Sequence, residues 1–255
     1  MNKRQLFSVI WEKSRLNLKS EAGTNYLSYL WWVIEPVLQM LCFYIVFELL
    51  LQRGGEGFVY FLLVGLVPWL WFARTVTQGS NSLIFGRNLM AQLSIPKVFF
   101  PMVIVTQCTV KQLMIFLLLL LFLLISGFLP GANWLGAIVI MLVQLLFICA
   151  TTLLLALFVV FVADIKQIIP TFIQFMFFCT GIFYSVERIS EEYRSWFMLN
   201  PMAGLIKNYR DVLLEGLWPD WTYLGGVTLF SAVLLVVALF LYTKYEFKIA
   251  KLVQE

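Results

Sequence analysis

Long runs of apolar residues occupy most of this chain and determine what it can fold into. Six runs, at 27–51, 58–79, 99–128, 134–162, 167–185 and 221–242, are long enough to cross about 30 Å of hydrocarbon as α-helices. Hydrophobic residues make up 62% of the sequence and charged residues 13%, which excludes a soluble globular domain. The sequence predicts an all-α polytopic membrane protein with six transmembrane helices and a single domain, residues 1–255.

Lysine and arginine are distributed unevenly between the two sides that six spans create. They are concentrated at 3–19, 87–97, 166 and 244–251, and are fewer on the side of residues 53 and 188–210. Short loops rich in these residues stay in the cytoplasm. We therefore expect a multi-pass protein of the inner membrane with both termini cytoplasmic. Because this bias accounts for the net charge of +4, we expect no nucleic-acid partner.

The residue types present exclude several kinds of chemistry. The chain has no histidine, which removes the commonest metal ligand and general base, and its four cysteines lie in predicted spans without CxxC spacing. We expect no metal site and no catalytic residue. The sequence also lacks the phosphate-binding motif GxxxxGK[ST], so any ATP hydrolysis must take place on another polypeptide. The chain itself therefore needs no cofactor.

Residues 1–24 are predicted to form an amphipathic helix before the first span. Polar side chains recur at three- and four-residue steps, and Leu6, Ile10 and Trp11 lie largely opposite to them. Such a helix should lie on the cytoplasmic surface of the membrane, in contact with lipids. It serves either as a plain anchor or as a surface for a cytoplasmic partner, and the sequence favours neither.

Three charged side chains lie within predicted spans, where a charge is costly and should face protein or water. They are Glu35 in the first span, Arg74 near the cytoplasmic end of the second, and Lys111 near the middle of the third. Helix rise places Glu35 and Arg74 at similar depths. We expect these two to form an ion pair, with Lys111 as the rival partner.

Polar and aromatic faces on two spans indicate a pathway through the membrane. The first span has a polar stripe, and the fifth has an aromatic face of the kind on which sugars stack, although such faces more often belong to a core. The residues predicted to line the pathway are Trp31, Trp32, Glu35, Gln39, Phe172, Phe175 and Phe183.

Residues 80–97 form the one cytoplasmic loop between spans that is long enough for a short helix, which Pro96 would end. Its apolar side chains are too closely spaced for a plain solvated connector. We expect a partner to dock on this loop, through Leu83, Arg87, Asn88, Leu89, Met90 and Gln92.

Residues 182–217 are too charged to cross hydrocarbon, yet too apolar for a simple loop. Two short amphipathic runs meet at Asn200-Pro201. Their charges argue for water on one side, and side chains such as Trp196 and Ile206 argue for packing on the other. The sequence predicts a periplasmic re-entrant helical hairpin that covers the outer mouth of a pathway, here called the gate hairpin. An interfacial loop is the alternative. The predicted gate residues are Glu187, Arg188, Trp196, Asn200, Pro201 and Arg210.

The chain resembles a known family, the six-span permease subunits of ABC exporters for bacterial surface polysaccharides such as O-antigen, capsule and teichoic acid. The resemblance is carried by LSYLWWVIEP, NLMAQLSIPKVFFP, Asp164-Ile165 and NPMAGLIKNYRDVLLEG, in this order along the chain. One departure is Ala163, where the family often has an arginine, and it leaves the role of Asp164 open.

The resemblance implies a homodimer bound to two cytoplasmic ATPase subunits, which would hold ATP and Mg²⁺. It makes residues 80–97 the coupling segment and implies a lipid-linked polysaccharide as cargo, O-antigen first. Capsule, teichoic acid, or a small hydrophobic drug or lipid are the alternatives. A membrane glycosyltransferase is a further one, but it would need clustered acidic residues for a divalent metal, and we find none in the sequence.

Overall fold

The structure is a computed structural model that describes residues 3–24, 30, 34, 37–38, 41–42, 44–50, 57–92 and 95–254. Every regular element within these ranges is helical. In chain order they are α1 (Lys3–Thr24), a π-helical segment (Ile45–Leu50), α2 (Phe58–Ser80), α3 (Ser82–Phe85), α4 (Arg87–Gln92), α5 (Phe99–Ile125), α6 (Trp134–Phe161), α7 (Ile165–Phe178), a 3₁₀ turn (Val186–Arg188), α8 (Glu191–Phe197), α9 (Pro201–Leu213) and α10 (Trp221–Gln254).

Four of these helices, α2, α5, α6 and α10, are long and apolar enough to cross a membrane. The fifth predicted span is shorter than expected, because α7 ends at Phe178 after 14 residues, or about 21 Å. The chain then turns at Gly181, whose φ of +73° favours glycine. About half of the first predicted span, 27–51, lies outside the described residues. The count of six spans therefore stays a prediction.

Helix α2 lies at the centre of the bundle. Of its apolar span 67% is buried, compared with 22% for α10. Helices α5, α6 and α9 pack on α2, and α10 packs against α6 on the outside. Apolar side chains on α10, such as Leu229, Phe230 and Val236, are exposed. An exposed apolar surface on a long helix suits contact with lipid chains.

A buried polar network connects α2 to its neighbours at Pro68. The side-chain amide of Gln144 on α6 donates to the Pro68 carbonyl at 2.8 Å, and that of Gln112 on α5 donates to the Val67 carbonyl at 3.4 Å. The Tyr209 hydroxyl on α9 donates to Gln144 Oε1 at 3.0 Å. Buried polar groups without partners are costly. These bonds therefore link the middle of α2 to three other helices.

Helix α1 packs along the first half of α5. The Ser14 hydroxyl lies 3.2 Å from the Val103 carbonyl, and Glu21 forms an ion pair with Lys111. The two contacts advance by similar numbers of residues on each helix, so α1 and α5 run side by side here. Phe7 and Trp11 remain exposed. The predicted helix at the start of the chain is confirmed, and its location on a membrane surface stays a prediction.

Candidate gate hairpin and coupling segment

The gate hairpin contains two short helices, α8 and α9, that meet at Asn200-Pro201 as predicted. Asn200 caps α9, since its Oδ1 accepts a hydrogen bond from the Met202 amide at 3.1 Å. Pro201 occupies the first helical position, where its missing N–H costs nothing. The Asn200 amide also donates to the Cys179 carbonyl at 3.3 Å. One side chain therefore both starts α9 and fixes the turn to the end of α7.

The two helices of the hairpin differ in burial. Helix α9 lies within the bundle, and Met202, Leu205, Ile206 and Tyr209 are at most 1% exposed. Helix α8 has no buried residue, and its Trp196 is 74% exposed. We expected Trp196 to pack against the protein, and this was wrong, because its side chain is largely exposed in the part of the chain that the structure describes. The hairpin packs through its second helix.

Arg210 is buried, although we expected the charges of the hairpin to face water. It is 6% exposed. Its guanidinium donates from Nε to the Phe61 carbonyl at 3.2 Å, from Nη1 to the Gly181 carbonyl at 2.7 Å, and from Nη2 to the Ile182 carbonyl at 2.9 Å. It also lies over the Phe61 ring, 3.4 Å from its centroid. Carbonyl oxygens and a ring thus replace water around this cation.

Neighbouring charges influence the basic residues of α9. Burial lowers the pKa of Arg210 to about 9, against the opposing charges of Glu187 and Asp211, so the guanidinium remains charged at neutral pH. Burial alone would lower the pKa of Lys207, but the hydrogen bond and charge of Asp211 outweigh it and the pKa is raised. Lys207 Nζ lies 2.8 Å from Asp211 Oδ2.

Glu187 and Arg188 lie on the exposed 3₁₀ turn that precedes α8. The Arg194 guanidinium of α8 donates to the Glu187 carbonyl at 3.2 Å, which ties this turn to the helix. Both predicted gate residues are therefore exposed, unlike Arg210.

Tyr223, at the start of α10, holds the turn of the hairpin and was missed by the sequence reasoning. Its hydroxyl lies 3.2 Å from the Met198 carbonyl and 3.1 Å from the Asn200 carbonyl. Its ring lies so close to Gly204 of α9 that a Cβ atom there would collide with it. A glycine inside a buried helix usually marks such a close approach, and Gly204 was the available signal.

The coupling segment forms two short helices, α3 and α4, instead of the single helix that we predicted. Gly86 separates them at the point where the backbone approaches the Phe100 ring of α5 too closely for a side chain. Leu83 and Met90 are buried in the core, and Leu89 is half-buried. These apolar residues anchor the segment and present little surface to a partner.

The polar residues of the coupling segment are accessible instead. Arg87, Asn88 and Gln92 are exposed, and so is Phe85, which the sequence reasoning did not include. Lys166 Nζ lies 5.6 Å from the centre of the Phe85 ring. An exposed aromatic ring beside several polar side chains is typical of a docking surface.

The predicted pathway residues that the structure describes differ in their burial. Phe172 and Phe175 on α7 are exposed, whereas Phe183 is half-buried and packs edge-on to Phe177 at 5.1 Å. A cleft of about 390 Å³ lies between α2 and α7, with Phe177 and Phe178 among its lining residues. The aromatic face of the fifth span is thus divided between a surface, a cleft and the core. Trp31, Trp32, Glu35 and Gln39 lie outside the described residues.

Lys111 has a partner on α1. Its Nζ lies 2.6 Å from both carboxylate oxygens of Glu21, and the lysine is only 8% exposed. We considered Glu35 as its partner, and no pattern in the sequence indicated Glu21. Arg74 is half-buried and lines a small cavity together with Lys111. The proposed pair of Glu35 and Arg74 is not tested, because Glu35 is outside the described residues.

The family model described as ABC-2 type transporter matches residues 5–214, which is most of the chain. The chain therefore belongs to the membrane-protein family of ABC-2 type transporters, and it is a permease. Among its relatives are the O-antigen export system permease protein RfbA of Myxococcus xanthus, 30% identical over 87% of this chain and 86% of the relative, and that of Klebsiella pneumoniae, 26% identical over 97% and 95%. The polysialic acid transport protein KpsM of Escherichia coli is 20% identical over 90% of each chain.

We predict that Tyr223→Phe loosens the turn of the gate hairpin, since the Met198 and Asn200 carbonyls lose their donor. The free energy of unfolding should fall by about 1 kcal/mol. Amide hydrogen exchange of purified protein should become faster at 198–202 than elsewhere. Tyr193→Phe is the control, because Tyr193 is exposed on α8. Equal exchange in both variants would contradict the assignment.

Proposed function

We propose that this chain is the transmembrane subunit of an ATP-driven exporter that moves a lipid-linked polysaccharide from the cytoplasm to the periplasm across the inner membrane. The observation that carries the proposal is the similarity to O-antigen export permeases along nearly the whole chain. O-antigen is therefore the first candidate for the cargo.

ATP hydrolysis would be supplied by two ATPase subunits that bind the cytoplasmic side of a permease homodimer. The absence of a phosphate-binding motif in this sequence supports a separate ATPase chain. The exposed residues of the coupling segment, Arg87, Asn88, Gln92 and Phe85, are the candidate contacts. The buried Leu83 and Met90 would hold these contacts in place by anchoring α3 and α4 in the core.

The cargo would pass between two copies of the chain. Phe172, Phe175 and Phe178 of α7 are exposed on the protomer, and none of them is needed to fill its own core. Aromatic faces stack against the C–H surfaces of sugars, which suits a path for a hydrated glycan. The gate hairpin would close this path on the periplasmic side.

Capsular polysaccharide is the second candidate cargo, supported by the similarity to the polysialic acid transport protein. Its identity to this chain is lower, 20% compared with 26–30% for the O-antigen permeases. The ranking of the two cargoes follows from this difference.

Deletion of the gene tests the cargo directly. We expect O-antigen to disappear from the cell surface while its lipid-linked precursor accumulates on the cytoplasmic side, and a plasmid copy should reverse both effects. Loss of capsule in place of O-antigen would select the second candidate. Unchanged surface polymers would contradict export of a polysaccharide.

We predict that Arg87→Glu uncouples the permease from its ATPase. A charge reversal on a polar docking surface should weaken association about tenfold or more, which is at least about 1.4 kcal/mol. Co-purification of the ATPase and ATP hydrolysis in liposomes provide the measurements. Lys248→Glu, also a reversal of an exposed cation on the predicted cytoplasmic side, should leave both unchanged. If Arg87→Glu behaves like this control, the coupling assignment is wrong.

A further inference from the structure

We propose that Arg210 is the positioning residue that attaches the gate hairpin to α2, so that movement of α2 at the coupling segment moves the gate. The inference rests on the proposed function, because it assumes that the hairpin closes an export path. It adds a residue and a connection between the two ends of the protein.

All three side-chain hydrogen bonds of Arg210 are donated to residues outside its own helix, α9. The Phe61 carbonyl belongs to α2, while the Gly181 and Ile182 carbonyls follow α7. A guanidinium presents its donors in a fixed fork, so these bonds define the position of α9 in more than one direction. Arg210 therefore joins three parts of the bundle at the outer end of α2.

The surroundings of Arg210 are shaped for it. A Cβ atom at Gly65 of α2 would lie 2.6 Å from Arg210 Nη2, so the guanidinium occupies space that any larger residue would fill. The Phe61 ring covers the cation. Among the ion pairs of the described residues, none includes Arg210. Arg210 bonds to neutral carbonyls, so its contacts depend on where these carbonyls lie and not on the charge of a partner.

Lys207, one turn earlier on the same helix, has a different role. Its ion pair is with Asp211, so both partners belong to α9. This pair stabilises the helix without attaching it to α2. Lys207 is thus a matched control, since it is a cation on the same helix and has a salt bridge of its own.

The inner end of α2 leads directly into the coupling segment. Asn81 separates α2 from α3, and its side-chain amide donates to the Thr77 carbonyl at 2.9 Å. Leu83 of α3 is fully buried against the core. A displacement of α3 therefore has to move the end of α2 with it.

Between these ends α2 is a continuous helix of 23 residues, or about 34 Å. The Val67 and Pro68 carbonyls near its middle accept hydrogen bonds from the side chains of Gln112 and Gln144. A packed helix of this kind transmits displacement as a rigid element. With the coupling segment at one end and Arg210 at the other, α2 is the physical connection between ATPase docking and gate opening.

The test compares Arg210→Ala with Lys207→Ala in liposomes that contain the permease and its ATPase, together with a lipid-linked polysaccharide. Arg210→Ala should still bind the ATPase and hydrolyse ATP, but the ATP consumed per exported chain should rise about tenfold. Lys207→Ala should stay within about twofold of the wild type. Arg210→Lys keeps the charge without the fork and should be intermediate; it replaces Arg210→Ala if that variant does not fold.

A tether between α2 and α9 separates attachment from a general effect on folding. A Cβ atom at Gly65 would lie 3.2 Å from Cγ2 of Ile206, so cysteines at these two positions would be adjacent across the contact of α2 with α9. In an Arg210→Ala chain without its native cysteines, Gly65→Cys with Ile206→Cys should restore coupling after oxidation by copper–phenanthroline. Reduction with dithiothreitol should remove it again.

Two results would overturn the proposal. One is a wild-type ratio of ATP to exported chains in both Arg210 variants, and the other is a disulfide that forms completely but restores nothing. Failure of the proposed function is distinguishable, because the wild-type control itself would then export no polysaccharide.

Discussion

Arg210 shows the constraint on which the structure depends, namely that a charge or polar group placed among apolar helices must be given partners by the protein. Its guanidinium donates to three backbone carbonyls and lies over an aromatic ring, and these contacts replace water. Lys111 pairs with the carboxylate of Glu21. Gln144 accepts a hydrogen bond from the Tyr209 hydroxyl and donates one to the Pro68 carbonyl. Each of these contacts joins one helix to another part of the chain, so the partners of the buried polar groups also hold the bundle together.

Two regions of the molecule lie near opposite ends of α2. The exposed polar side chains of α4 follow its last residue, and the contacts of Arg210 with α9 lie near its first turns. Helix α2 lies between them and is the most buried of the four long helices. A permease that opens one end in response to events at the other needs such an element, since separate movements of its ends would break packing along its length.

Much of the fold follows from local pattern. Apolar runs predicted α2, α5, α6 and α10, and Asn200-Pro201 predicted the meeting point of α8 and α9, because the signals for spans and caps lie within a few residues of each other. The length of α7 was overestimated, since apolar composition continues past the turn at Gly181. The residue between α3 and α4 is a glycine for a long-range reason, because the backbone at Gly86 lies against the Phe100 ring.

The candidate site was less predictable, because its main contacts join distant parts of the chain. Lys111 and Glu21 are 90 residues apart, and Arg210 and Phe61 are 149 apart. An amphipathic pattern identifies a polar side chain that needs a partner, but it does not show whether that partner is water or a set of backbone carbonyls. The prediction that Arg210 belongs to the hairpin was therefore correct, and the prediction that its side chain faces water was wrong. The pathway residues of the first span stay predictions, since they lie outside the described residues.

The central claim is that the hairpin faces the periplasm and is held in the bundle by its second helix. Single cysteines placed in a cysteine-free chain and exposed to a membrane-impermeant thiol reagent, in cells with a permeabilised outer membrane, test it most directly. The account predicts rapid labelling of Glu192→Cys on α8, protection of Val212→Cys on α9, and labelling of Arg87→Cys only after the inner membrane is opened. Equal labelling at 192 and 212, or labelling at 87 in intact cells, would contradict it.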